Sequence, residues 1–528
     1  MEKTNNKFQN LIEFLTKYGI IIISIIVGLI GFFSIFVTAY FNSTFYHPEE
    51  KTSFKYSIGI LEILLTFISV FVLILLSKKI IKKIPSYFLL IPILIGSFTL
   101  YIYWINAIKL NPETDQKLIH EMAIAFLNGN IEYYLTTAQY LFLYPYQFGL
   151  TFLVSIIYKI FGENFQYIQY LNAIGSITNI VLLFYISKIL FENEKIQKIL
   201  VLLLGGFSLY WMFFNVHFYG NIIGLTLALF ATFFTLLYLK SNKKIYLIFS
   251  GIFIALSILI KSNYNIFLCG IIIVLILDII KKYDLKTLFI IPIFIIGYFS
   301  INLGYQQLLK YNNLNLPDGV PMITFIYMGM AEPTDLSPGW YTGDTVKLYT
   351  ENIYNNEKTE EKAIELIKQR LQYFMQNPKD FFEFYLSKIS STWLNPTFQT
   401  IWCSLPGTRY RWYPEYAHYL GYHETALSMV GGNLYKVEEN YFNIYQIIIF
   451  IFASIGSYNT SKNLDLKKLL LPIIFIGGFV FHLIWETKAI YVIQYYYLLL
   501  PYAAFGLYLL SEKLENFKNK QKQLNEKN

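Results

Sequence analysis

The chain has 528 residues, 55% of them hydrophobic and only 14% charged, against about a quarter charged in an ordinary soluble protein. Its apolar residues come in long blocks rather than alternating or 3.6-residue patterns, which excludes a soluble enzyme and points to a chain solvated by lipid. The net charge is +8 and there are 2 cysteines; Cys269 and Cys403 are too few for a disulfide framework and sit in no metal-ligand spacing.

Twelve stretches are long and apolar enough, at about 17 to 25 residues, to cross a hydrocarbon core of about 30 Å. They lie near residues 18–41, 57–77, 86–107, 168–187, 199–216, 221–239, 245–261, 264–280, 287–306, 442–457, 468–485 and 490–511. The expected fold is an all-α polytopic membrane protein of about 12 transmembrane helices with a mainly helical extracytoplasmic domain. Lysines cluster between these stretches: Lys78, Lys79, Lys82 and Lys83; Lys188, Lys195 and Lys198; Lys240, Lys243 and Lys244; Lys281, Lys282 and Lys286; Lys462, Lys467 and Lys468. By the positive-inside rule these loops and both termini are cytoplasmic. The charge is thus an orientation signal. No basic stripe interleaved with stacking aromatics points to nucleic acid, and the 46 Tyr and 47 Phe have a ready source in interfacial belts.

Alternation keeps residues 108–167 outside, with the apolar run Phe148 to Phe161 lying along the outer surface. The competing reading, a full span at 145–161, would put the Lys188 cluster outside unless a neighbouring span were lost. Four regions follow. Residues 1–85 form a two-span extension, 86–306 a transmembrane core with the outer loop 108–167, 307–441 an extracytoplasmic domain, and 442–528 a three-span bundle with a cytoplasmic tail. In the third region Thr359 reads as a helix N-cap, with Glu360 and Glu361 in an acidic first turn and Ala363, Ile364, Ile367 and Leu371 on one face. Pro378 closes that helix and opens another, which ends at Asn395-Pro396. Pro317 to Asp344, dense in Gly and Pro, reads as an ordered loop.

Within the spans, Glu62 and Asp278 lie near helix ends, where snorkelling reaches water; no string of ionisable groups crosses the membrane depth. The polar groups gather instead at the outer surface. Asn111-Pro112-Glu113-Thr114-Asp115-Gln116 follows the third span, His217-Phe218-Tyr219-Gly220-Asn221 the fifth, Lys261-Ser262-Asn263 the seventh, and Glu486-Thr487-Lys488 the eleventh. Arg409 and Arg411 lie in the large loop. A carboxylate there suits a general base, and cations suit an anionic phosphate. Plainer readings stand beside these: Asp115 as a cap or turn residue, Lys261 as an interface anchor, Glu486 and Lys488 as a solvated pair. The six histidines include no HxxxH or HExxH, and there is no Walker loop and no GxGxxG after a strand.

Residues 86 to 511 resemble the GT-C superfamily of polytopic glycosyltransferases, which contains protein O-mannosyltransferases and the aminoarabinose transferase of lipid A. The resemblance rests on architecture and short segments in order: Thr114-Asp115-Gln116 with the amphipathic stretch His120 to Gly129; Tyr144-Pro145-Tyr146-Gln147-Phe148-Gly149 leading to Phe161-Gly162; Tyr219-Gly220-Asn221; Leu259-Ile260-Lys261; Lys388 to Trp393 with Pro396; and Trp485-Glu486-Thr487-Lys488 followed by Tyr491 and Pro501. The resemblance implies an inverting transfer of a sugar from a polyprenyl-phosphate donor to an acceptor hydroxyl at the outer face of the plasma membrane, with Asp115 as base. Lys261, Arg409, Arg411 and Lys488 are the candidates for the donor phosphate, and Glu486, Tyr146, Gln147, His217 and Asn221 for further substrate contacts. The acceptor would be a glycan, protein or lipid. Two spans precede the core, and Asn221 stands where many relatives carry an acidic residue. No metal is therefore assigned, although Glu113, Glu121 and His217 are potential ligands beside Asp115 for a divalent cation. Two other classes remain open, a transporter or flippase of lipid-linked sugars and a non-catalytic sugar-binding membrane protein.

Overall fold

The computed structural model describes residues 2–41, 52–80, 83–282, 289–332, 336–404, 425, 428–429 and 432–526. Lys82, Lys286, Arg409 and Arg411 lie outside the described residues. Helix α1 runs Glu2–Phe36 and is followed by an antiparallel hairpin, β1 Val37–Phe41 and β2 Thr52–Tyr56, in the register Val37 opposite Tyr56. The first span was expected to reach residue 41. The run Val37-Thr38-Ala39-Tyr40-Phe41 instead takes the extended form its β-branched and aromatic residues favour, and the Ala39 N–H donates to Leu394 O at 2.9 Å. Gly59, at φ 76°, makes the turn into α2, Ile60–Leu75.

The core then comprises α3 Ser86–Ile108, α4 Asp115–Leu127, α5 Phe148–Phe161, α6 Phe165–Leu190, α7 Glu194–Phe214, α8 Asn221–Ser241, α9 Ile245–Ile260, α10 Asn265–Lys282 and α11 Ile290–Tyr311. Four helices cover the next region: α12 Ile323–Met330, α13 Asp344–Glu351, α14 Asn356–Gln376 and α15 Pro378–Trp393. The chain returns through α16 Tyr435–Thr460, α17 Leu470–Ile484 and α18 Leu500–Asn525.

A helix stands on each of the twelve expected stretches, and among the described residues ten are long and apolar enough to cross a membrane. Two fall short. α9 has 16 residues, about 24 Å at 1.5 Å per residue. α11 carries Asn302, Gln306, Gln307 and Lys310 in its last turns. The last expected span is broken by a short turn of helix at Ile493–Tyr497, and α18 continues past residue 511 as a polar helix. α5 has 14 residues, about 21 Å, too short for a full span. It packs on α4 through Phe148, Val154, Ile119 and Met122, in a small apolar core of its own. α5 also meets α6 and α9, and Tyr305, Leu308 and Leu309 of α11 join the same small core.

In the third region α14 starts earlier than expected. Asn355 is the N-cap, its side chain accepting from the Lys358 N–H at 3.0 Å, while the Thr359 hydroxyl donates back to Asn355 O at 2.7 Å. The buried face is accordingly Thr359, Ala363, Ile367 and Phe374, and Ile364 and Leu371 are exposed. Pro378 opens α15, and that helix ends at Trp393, just before Asn395-Pro396.

Asp278 does not snorkel. It is buried, held by Lys282 Nζ at 2.7 Å and the Tyr238 hydroxyl at 2.9 Å. The lysine-rich ends of the helices meet at one end of the bundle, where Lys195 reaches Glu512 at 2.7 Å, Lys78 reaches Glu515 at 2.8 Å and Lys240 reaches Glu192 at 2.7 Å. Residues 115, 219, 261 and 486 come together at the other end.

Candidate active site

Helix α3 ends on Lys109 at φ 48°, and the chain turns through Thr114 at φ 49°, a conformation few β-branched residues adopt. This turn places Asp115 at the first position of α4, where the helix N-terminus favours a negative charge. The next side chain fixes the position: Gln116 Oε1 accepts from the Phe218 N–H at 2.8 Å. Asp115 faces a cavity of about 370 Å³. Protein atoms around the carboxyl hinder its hydration and push its pKa up, while the Tyr219 and Tyr140 hydroxyls and the Lys488 and Lys261 ammoniums pull it back.

The tyrosines form a bonded shell. Gln147 Nε2 donates to the Tyr219 hydroxyl at 2.6 Å, which lies 3.1 Å from that of Tyr140; the Tyr144 and Tyr341 hydroxyls are 3.1 Å apart. Lys261 leaves the end of α9 in extended backbone. Its Nζ donates to Tyr219 O at 3.3 Å and lies 4.2 Å from the centre of the Tyr219 ring, within cation–π range. Burial pushes this ammonium down to about 8, against the opposing pull of Asp115 and Glu486. Close packing sets its height: a Cβ on Gly149 would stand 2.0 Å from Leu259 O, and one on Gly220, at φ 76°, 2.9 Å from Ile260 O.

The far wall is the segment after α17. The Glu486 N–H donates to Phe325 O at 3.2 Å and the Thr487 N–H to Gly339 O at 2.7 Å. Trp485 stacks between Phe325 and Phe481, with ring centres 5.5 Å and 5.1 Å away. Glu486 is only 7% exposed, so it is not half of a solvated pair. Burial pushes its carboxyl up to about 7, with Lys488 and the Tyr491 hydroxyl opposing. Lys488 Nζ lies 5.8 Å from the Trp340 ring.

Of the residues singled out in the sequence, the cavity gathers Asp115, Tyr146, Gln147, Lys261, Glu486 and Lys488. His217 and Asn221 stand behind its wall. The His217 ring stacks on Phe214 at 5.6 Å, its carbonyl accepts from Asn172, and burial holds the imidazole neutral by pushing it down to about 3. The Asn221 carbonyl accepts from the Tyr264 hydroxyl, which also lies 2.9 Å from the Gln494 side-chain amide. Both flank Tyr219 in the turn between α7 and α8. Arg409 and Arg411 are not among the described residues. Nor, among those residues, does any group of three or more His, Cys, Asp or Glu gather as a metal site; Glu121 lies 3.6 Å from Lys117 in an ion pair. Tyr140 and Tyr341 stand at the site without any signal in the sequence, since nothing separates them from the other tyrosines of so aromatic a chain; Tyr219 belongs to a segment singled out there, though without a role.

The cavity thus sets a carboxylate, Asp115, beside two cations, Lys261 and Lys488, against a largely aromatic wall. No curated protein and no solved structure gives a significant match to the chain. Residues 145–303, which carry Tyr146, Gln147, Tyr219 and Lys261, match the family model of dolichyl-phosphate-mannose-protein mannosyltransferases, and on this bundle of apolar helices the match supports a membrane glycosyltransferase of the GT-C type.

Proposed function

We propose that the protein moves a sugar from a polyprenyl-phosphate donor to an acceptor hydroxyl at the outer face of the plasma membrane. The observation that carries this reading is the meeting of Asp115 with Lys261 and Lys488 in one cavity at the end of the bundle away from the lysine clusters. Asp115 removes the acceptor proton as the acceptor oxygen attacks the anomeric carbon from the face opposite the phosphate. The bond from that carbon to the phosphate oxygen breaks, and the configuration inverts. The pair of electrons leaves with the polyprenyl phosphate, whose charge Lys261 and Lys488 stabilise. A carboxyl whose pKa is pushed up is a stronger base than a free one. Tyr146 and Gln147 line the same space, and Glu486 offers an oxygen to a donor or acceptor hydroxyl.

Asp115→Asn is expected to lower transfer from a polyprenyl-phosphate sugar by about 10²- to 10⁴-fold, the usual weight of a general base. Wild-type activity should rise with pH as Asp115 loses its proton and fall above about 8, where Lys261 loses its charge. The acid limb should vanish in the variant. Normal turnover by a folded Asp115→Asn protein would end this reading.

A further inference from the structure

Lys388, on α15, takes no part in the chemistry just described, yet it is among the most enclosed charges of the molecule at 1% exposure. Its Nζ donates to three backbone carbonyls, Gly329 O at 2.5 Å, Leu483 O at 2.9 Å and Trp485 O at 2.8 Å. Gly329 lies in the last turn of α12, and Leu483 and Trp485 close α17. One ammonium therefore satisfies orphan carbonyls at the ends of two helices, where their dipoles favour a cation.

The surroundings are shaped around it. A Cβ on Gly339, at φ 77°, would stand 2.5 Å from Lys388 Cε, and one on Gly329 would stand 2.5 Å from the Trp485 carbonyl carbon. The end of α17 delivers Trp485, Glu486 and Lys488 to the cavity, and Phe325 comes from the first turn of α12.

We propose that Lys388 is a positioning residue whose charge clamps α12 to α17 and holds the Trp485–Lys488 segment in the register that presents Lys488 to the donor phosphate and Glu486 to a donor or acceptor hydroxyl. The inference rests on the donor reading of the cavity. Without the ammonium, three carbonyls lose their donor, and what still ties the segment to α12 and to the Gly339 turn is the pair of backbone bonds to Phe325 O and Gly339 O.

The test uses the full chain in nanodiscs, titrated with farnesyl phosphate and read by tryptophan fluorescence, beside hydrogen exchange at the Glu486 and Thr487 amides. Lys388→Met should bind the probe about tenfold or more weakly, the scale of a lost buried hydrogen bond to a charged group. It should exchange those two amides faster, with protection elsewhere unchanged. Ethylammonium should restore binding to Lys388→Ala, and propanol should not. If Lys388→Met does not accumulate, Gly339→Ala displaces the ammonium without removing its charge, and the same two losses are expected. Wild-type binding and exchange in these variants overturn the proposal and leave the donor reading intact. A wild-type protein that ignores farnesyl phosphate, or binds it equally well with Lys488→Met, overturns the donor reading; the exchange rates then decide the clamp by themselves.

Discussion

Two carboxyls and two ammoniums share the cavity, and burial raises both acids while it lowers the Lys261 ammonium. Protein around the three groups hinders the hydration of their charged forms, most completely at the buried Glu486, where a charge weighs more than it would at an open surface. Glu486 shows the cost. Its carboxyl binds a proton more tightly in the fold than in the unfolded chain, so folding stability falls as pH rises from about 4.5 to about 7 and the full cost, about 3 kcal/mol, stands above that range. Glu486→Gln should therefore unfold at a higher temperature than wild type at pH 8 and at the same temperature near pH 4, as followed by circular dichroism during heating. The charged members of the site were legible in the sequence because charge is rare in so apolar a chain and each stood beside the end of a span. Tyr140 and Tyr341, which stand in no such segment, were not: 46 tyrosines give one residue no contrast with the next. Lys388 was noticed only as part of a segment, since nothing in its neighbourhood in the sequence reveals the three carbonyls it meets.

The spans were legible as elements because hydrophobic length is a strong signal. Helix ends and faces were less so. The first span gave up its last residues to a hairpin, and α14 took Asn355 rather than Thr359 as its cap, turning its buried face away from Ile364 and Leu371. In both elements residues remote in the sequence take part, Leu394 against β1 and Phe384 against Phe374, and such contacts cannot be read from the local sequence. The contact of α5 with α9 is also a tertiary fact. Gly149→Ala pushes a methyl group against Leu259 O, and overpacking of this kind costs about 1–3 kcal/mol. The expected result is a lower unfolding temperature and weaker donor binding together, because Leu259 stands two residues from Lys261. Unfolding followed by fluorescence and titration with farnesyl phosphate would check both halves.

Across the whole molecule, charge sorts by end. Lysines paired with Glu192, Glu512 and Glu515 occupy one end, and the cavity occupies the other. In a chain freed of Cys269 and Cys403, single cysteines introduced at positions 115 and 350 should react with an impermeant maleimide added to intact cells, and one at 243 should not. The reverse pattern would turn the proposed orientation over.

The short α9 bears on where the chemistry happens. At about 24 Å it is some 6 Å shorter than the slab it sits in, so a bilayer of ordinary thickness must thin around it or draw Lys261 below the headgroup plane. An acceptor arriving from water then has to descend to the donor, and lipid thickness becomes a control on turnover. Reconstituted in phosphatidylcholines of rising chain length, the protein should transfer fastest in the thinner bilayers and slow steadily as the acyl chains lengthen.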